Sequence, residues 1–338
     1  MKSNYKISAD IIDSISQRYR GKVPGISIMA IKSGNIVFSK QFGLANLEYD
    51  IPITLSTVFN LASISKQFTA MAIMMLVEKG ILGYEKMLTD YLSELSYCQG
   101  VTVRHLLNNT SGIENYYRII ERIGKSVVNV TNKDVYSLLI NQKSLLFEPG
   151  SKFDYSNSNW VLLSLLIENL SGLSYSQFIE ENIFNRIGMK DAMVFDEMQP
   201  IVKNRAYGYR KENNNYYCDY VEALTVGDGG IFATIEDLYI WDQVLYTDKL
   251  VSRESIALAF TNGTGEGEEK YGFGWSIEDY ETGNKKVWHT GLDAGFRSVI
   301  TRYLDKEFTV IILSNSSQCT WDERKKITNE LYEIFNKK

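Results

Sequence analysis

The chain has 338 residues, 44% of them hydrophobic and 23% charged, which supplies a substantial core and excludes a mainly disordered chain. Lys plus Arg number 36 against 41 Asp plus Glu, a formal net charge of −5. With no long basic run, this balance gives no footprint for nucleic acid or an anionic membrane.

The longest strongly apolar run, Ala70 to Val77, falls far short of the ~20 residues needed to span a bilayer, so a soluble globular protein without a membrane span is expected. Cys98, Cys218 and Cys319 are widely separated and lack CxxC spacing, which argues against a disulfide framework and a zinc site. They are expected to behave as small buried hydrophobes. His105 and His289 are too few for a His-rich metal centre, and no cofactor is expected. Met1 to Ser8 has no apolar stretch of the secretory type. Two expectations compete: a cytoplasmic protein, or a mature chain whose leader was removed.

In chain order, Ser8 is placed to cap a helix with the stripe Ile11, Ile12, Ile15 and Tyr19, which Pro24-Gly25 breaks. Ile26 to Ile31 and Ile36 to Phe42, separated by Lys32-Ser33-Gly34-Asn35, read as a β-hairpin. Ser63 to Lys79 predicts a helix apolar nearly all round, hence buried, with Gly80 as its stop. Further helices are expected at Thr102–Leu107, Asn157–Leu170 and Ser174–Ile187, the last opening on the capping box Ser174 to Gln177. Thr234 with Asp237 offers another cap before Leu238 and Trp241. Val287 to His289, Phe296 to Tyr303 and Phe308 to Leu313 read as strands, and a closing helix runs from Asp322 to Phe335.

Strands from both chain ends thus bracket a helical middle. The expected architecture is α/β: an antiparallel sheet flanked by N- and C-terminal helices, with an inserted α-rich subdomain. The expected division is a single unit in which residues 1–59 plus 220–338 form the α/β part and 60–219 the α-rich part.

Ser63-Ile64-Ser65-Lys66 sets a hydroxyl and an amine one turn apart at the start of the buried helix. The free N–H groups and positive dipole end there suit a developing oxyanion. Alone, the spacing is weak, since Ser3-Asn4-Tyr5-Lys6 shares it. A lysine base must also lose its proton near neutral pH, about three units below its reference value, which requires burial or a neighbouring cation.

Tyr155-Ser156-Asn157 lies between the turn Glu148-Pro149-Gly150 and a helix; by itself it is also a good helix cap. Its phenol can relay a proton and its amide can orient a carbonyl or the lysine. His289-Thr290-Gly291 ends a strand-like run, where glycine permits close backbone approach and a strand edge can pair with a peptide-like substrate. His105 reads as a packing residue. Arg297 reads either as a solvated strand arginine or as a carboxylate partner.

Taken in order, Ser63–Lys66, Tyr155–Asn157 and His289–Gly291 resemble the Ser-x-x-Lys, Tyr-x-Asn and Lys/His-Thr-Gly motifs of the penicillin-binding protein and serine β-lactamase superfamily. The similarity is to its class C branch, which includes D,D-carboxypeptidases, D-aminopeptidases and esterases. Leu106 to Gly112, Gly229-Gly230-Ile231, Tyr271 to Trp275 and Gly295-Phe296 also look like the family, and the resemblance runs from about residue 8 to residue 335.

It implies Ser63 as the acylated nucleophile, Lys66 as its activator and Tyr155 as the proton shuttle to the leaving group. Asn157 would hold Lys66 and the substrate amide, the backbone N–H groups of Ser63 and Leu292 would form the oxyanion hole, and Thr290 would contact a substrate carboxylate or the relay. The branch implies a cofactor-free serine hydrolase acting on a small-molecule or peptide substrate, D-amino-acid peptides favoured, with a monomer as the default. A carboxylesterase is the nearest alternative, β-lactamase activity a third, and a penicillin-binding sensor without turnover the alternative of another class. His289 stands where most β-lactamases have lysine, which weakens the β-lactamase reading; in cationic form it, or Arg297, would anchor a substrate carboxylate.

Overall fold

The computed structural model describes residues 15–219, 223–265, 267, 269–280 and 283–336. Its largest element is a seven-stranded antiparallel sheet. In chain order the strands are β1 (Ile26–Lys32), β2 (Asn35–Phe42), β3 (Lys270–Tyr271), β4 (Ser276–Asp279), β5 (Lys285–Asp293), β6 (Phe296–Tyr303) and β7 (Phe308–Ser314). Their order across the sheet is β3-β4-β5-β6-β7-β1-β2, so both ends of the chain meet where β7 pairs with β1. Ser33 and Gly34 close the β1–β2 hairpin with φ of 46° and 78°. These left-handed values at both central positions match the twist of the flanking strands.

Period-two alternation divides the strands between two cores. On one face Ile26, Ile28, Val310 and Ile312 pack with Ile15, Tyr19, Ile327, Leu331 and Phe335. The last three lie on the closing helix, Trp321–Asn336. Of the expected N-terminal helix, Ser8, Ile11 and Ile12 lie outside the described residues. On the other face Met29, Ile31, Ile311 and Leu313 join a larger core with the helical part.

That helical part contains α1 (Lys66–Glu78), α2 (Asn157–Ser171) and α3 (Ile235–Val244). In α1 every residue from Lys66 to Leu76 is buried, as an all-round apolar helix requires. Arg302 of β6 and Asp242 of α3 form an ion pair at 2.7 Å with both side chains 1% exposed, joining sheet to helix.

Several expectations shift. The strand expected at Val287–His289 extends over Lys285–Asp293. The Ser174 capping box is present and the helix runs to Ile187 as expected, but a π-helical stretch, Glu180–Phe184, interrupts its α-helical turns at Tyr175–Ile179 and Asn185–Ile187. Cys98 and Cys319 are buried, whereas Cys218 is partly exposed with its Sγ 2.8 Å from Glu48 Oε1, so it is no core hydrophobe. No helix among the described residues is long and apolar enough to cross a membrane.

Candidate active site

The short strand Phe59–Asn60 pairs with Ile231–Ala233 and fixes the approach to Ser63. Ala62 has φ 49°, a left-handed conformation that costs a non-glycine residue on the order of 1–3 kcal/mol. Its N–H donates to Asn60 Oδ1 at 2.8 Å, which holds the bend. Ser63 therefore sits on a 3-10 turn, Ala62–Ser65, just before α1 rather than on the helix itself, and Lys66 is the first α-helical residue.

Lys66 is fully buried and its Nζ has three neighbours: Ser63 Oγ at 2.9 Å, Asn157 Oδ1 at 2.8 Å and the Asp228 carbonyl oxygen at 2.6 Å. Two of these are pure acceptors. A neutral amine has two hydrogens, so satisfying both carbonyls directs its lone pair at the Ser63 hydroxyl. Burial pushes the ammonium down to about 7, against the opposing pull of Asp228 and Asp293.

Tyr155 comes from the loop before α2, and the Lys66 Nζ stands 5.1 Å from its ring centroid. Burial raises the phenol's pKa, while a side-chain hydrogen bond with Ser63 lowers it, for a net upward shift. The ring keeps its proton at neutral pH and serves as a donor or relay.

His289 is 4% exposed. Its Nδ1 lies 2.7 Å from the Thr290 carbonyl oxygen, which can only accept, so Nδ1 carries the proton. Nε2, 2.9 Å from the Tyr271 hydroxyl, is then the acceptor. Burial first, and the Lys66 charge second, push its pKa down to about 3. The expected cationic carboxylate anchor is thus a neutral imidazole with both nitrogens engaged.

Two lobes meet at Ser63, Asn157 and Leu292. One, about 590 Å³, is lined by Phe153, Tyr155, Tyr271, His289 and Thr290. The other, about 490 Å³, is lined by Asp219, Asp228, Asp293 and Arg297. Arg297 is therefore on the side away from Tyr155, its Nη1 donating to the Ala294 and Phe296 carbonyls at 2.6 and 2.7 Å. β4 pairs with β5 only as far as Trp288, so beyond it that edge of β5 faces the Ser63 turn. Leu292, 54% exposed, lies on this stretch. His105 is half-buried and accepts the Thr102 N–H at 3.2 Å, closing a capping box far from chemistry of its own.

Sequence reading missed three contributors. Asp228 supplies a carbonyl to Lys66 and a carboxylate that accepts from Tyr116 at 3.0 Å; burial raises its pKa and Lys66 lowers it, for a net upward shift. Asn60 holds both Ala62 and Asp293, the latter at 2.7 Å. Tyr271 donates its hydroxyl to His289 Nε2 and so occupies the second ring nitrogen. The available signals were Asp228 beside Gly229-Gly230 and Tyr271 opening the Tyr-Gly-Phe-Gly-Trp stretch. Among the described residues, no group of His, Cys, Asp and Glu is arranged to hold a metal ion.

The Beta-lactamase family pattern matches residues 10–332. Penicillin-binding protein 4* of Bacillus subtilis (strain 168) is 36% identical over 313 residues, covering 87% of this chain and 68% of that protein. A D-aminopeptidase of Brucella anthropi is 30% identical over 314 residues, covering 89% of this chain and 57% of its own length. The crystal structure of a penicillin-binding protein from Bacillus halodurans superposes with a TM-score of 0.83 at 27% identity, covering 97% of this chain and 99% of that one. The chain belongs to the Beta-lactamase family and is a serine hydrolase of the penicillin-binding protein and serine β-lactamase superfamily.

Proposed function

We propose that the chain hydrolyses amide or ester bonds through an acyl-enzyme on Ser63, with D-amino-acid peptides and their derivatives as the substrate class. The observation that carries this reading is the Lys66 amine, buried and bonded to Ser63 Oγ at 2.9 Å, with burial pushing its pKa down to about 7. Ser63 Oγ attacks the carbonyl carbon as its proton passes to Nζ. The oxyanion is received by the backbone N–H groups of Ser63 and Leu292, each such donor being worth about 10²–10³ in rate. Tyr155 gives its proton to the departing nitrogen or oxygen and recovers the one that Lys66 took from Ser63. Asn157 holds Lys66 at 2.8 Å and offers its amide to the substrate. Thr290 contacts the substrate beside β5. Water then opens the ester, with Lys66 again as base.

The D-amino-acid class is supported by the 30% identical D-aminopeptidase. A carboxylesterase is the second reading, favoured by the neutral His289, because an ester needs no fixed cation in the site.

The test is intact-mass analysis after exposure to a penicillin and to a fluorophosphonate, wild type beside Ser63→Ala. Both reagents are expected to add one equivalent to wild type and none to the variant. Labelling by the phosphonate alone selects the esterase reading, and labelling of Ser63→Ala removes Ser63 as nucleophile.

A further inference from the structure

The two lobes beside Ser63 offer a substrate different chemistry, and the proton relay tells them apart. A group leaving the tetrahedral intermediate must receive a proton as its bond to carbon breaks. The hydroxyl placed to give it belongs to Tyr155, which lines the larger lobe and not the one holding Asp293 and Arg297. The leaving group therefore departs into the Tyr155 lobe, and the acyl group remains on the Asp293 side.

The Tyr155 lobe is walled by rings. Phe153 and Tyr155 lie 5.6 and 6.3 Å from Tyr271, centroid to centroid, and His289 stands 6.2 Å from Tyr155. His289 donates to the Thr290 carbonyl and accepts from Tyr271, so neither ring nitrogen is available to an anion. At the rim Lys270 is ion-paired with Asp279 next to Glu269, and Glu278 is bridged to Lys286 at 2.9 Å. Among the described residues lining this lobe, Lys270 is the only cation, and its charge is matched locally. Arg297 is on the far side of Leu292, engaged with two backbone carbonyls. A carboxylate entering the lobe gives up hydration without meeting a free cation, whereas an uncharged aromatic or amide group gains ring contact.

We propose that this lobe is a leaving-group subsite for uncharged groups (phenols, alcohols, aryl amines, amino-acid amides) and that it disfavours leaving groups bearing a free carboxylate. The inference rests on the acyl-enzyme reading above. It makes the protein an amidase or esterase in its leaving-group preference, and a poor carboxypeptidase. In the productive step the bond between acyl carbon and leaving atom breaks, the leaving atom takes the Tyr155 proton, and the phenol recovers the proton that Lys66 took from Ser63.

A matched pair of aryl acetates isolates the charge: 3-acetoxybenzamide and 3-acetoxybenzoate share acyl group and ring and differ in one anion. The expected kcat/KM ratio is at least tenfold in favour of the benzamide at pH 7.5. A ratio near one, or a preference for the benzoate, overturns the subsite. His289→Lys, which puts an amine on the lobe wall, is expected to shrink the ratio at least threefold. Should that variant fail to fold, Lys270→Ala serves instead. It is expected to leave the ratio within twofold, and a further loss confined to the benzoate would make Lys270 a carboxylate anchor and contradict the proposal.

Ser63→Ala separates this failure from that of the parent reading. Turnover that persists in Ser63→Ala overturns the acyl-enzyme and the subsite together, while a ratio near one with Ser63-dependent turnover overturns the subsite alone. An enzyme that labels at Ser63 yet opens neither acetate also contradicts the subsite, because a neutral phenol is the leaving group it should accept.

Discussion

Gly291 of β5 runs so close to Leu61 that a Cβ at position 291 would stand 2.1 Å from the Leu61 carbonyl oxygen. The contact is backbone on backbone, and no rotamer change relieves it. It sets the spacing between the Ser63 turn and the strand that carries Leu292. Gly291→Ala is expected to push the two apart and remove one oxyanion donor, lowering kcat/KM by about 10²-fold or more. Far-UV circular dichroism should remain native-like. Ester hydrolysis by the folded variant at the wild-type rate would show that this approach does not shape the oxyanion hole.

His289 is held neutral by burial and by Lys66, at about 3. It should contribute no limb to kcat/KM between pH 5.5 and 8, and its ring ¹⁵N shifts should report the Nδ1–H tautomer throughout. A folded pKa below the unfolded one means the unfolded state binds the extra proton between about 3 and 6.5. Stability from this group is therefore full above pH 6.5 and falls as pH drops, by up to roughly 1.4 kcal/mol per unit. Urea unfolding at pH 7 and pH 5 should show a smaller loss for His289→Gln than for wild type. A ring that titrates near 6.5 would reverse this assignment.

Asp228 opposes the effect of burial on Lys66, since its carboxylate raises the amine's pKa. Asp228→Asn keeps an acceptor for Tyr116 and the backbone carbonyl for Lys66, but removes the charge. The rising, low-pH limb of the pH–rate profile should move to lower pH by about one unit. A limb that stays in place or moves upward would mean that Asp228 is not electrostatically coupled to the lysine.

Asp242 tests the fold apart from chemistry. It accepts from Arg302 at 2.7 Å and from Thr309 at 2.8 Å, with the guanidinium 4.4 Å from the Tyr246 ring centroid. Asp242→Ala strands a buried cation and should cost about 3–5 kcal/mol in urea unfolding, with phosphonate labelling of the folded fraction unchanged. A loss under 1 kcal/mol would show that Arg302 finds another partner.

Ser63 and Lys66 were legible because their relation is local: three residues along one turn fix their separation whatever the surrounding fold. The strands β1, β2, β6 and β7 and the closing helix were legible for a similar reason, as local apolar runs and, in the helix, as the four-residue steps Ile327, Leu331 and Phe335. Asp228 was hidden because its contact with Lys66 is a main-chain carbonyl, which every residue possesses. His289 was visible as a motif but not as a charge state, which depends on burial and on the Lys66 charge nearby. Strands β3 and β4 were missed because they are short elements at one end of the sheet without a continuous apolar run. Arg297 followed the third motif closely in sequence, yet the turn at Ala294 carries it to the other lobe.

The most direct measurement of the Lys66–Ser63 couple is the rate of Ser63 phosphonylation between pH 5.5 and 9.5, wild type beside Lys66→Ala. Attack requires the unprotonated amine, so the rate should rise with pH through a midpoint of about 7 and level off above it. Lys66→Ala should be slow and lack that limb. A wild-type midpoint above 9, or an unchanged limb in Lys66→Ala, would contradict a neutral lysine as the base.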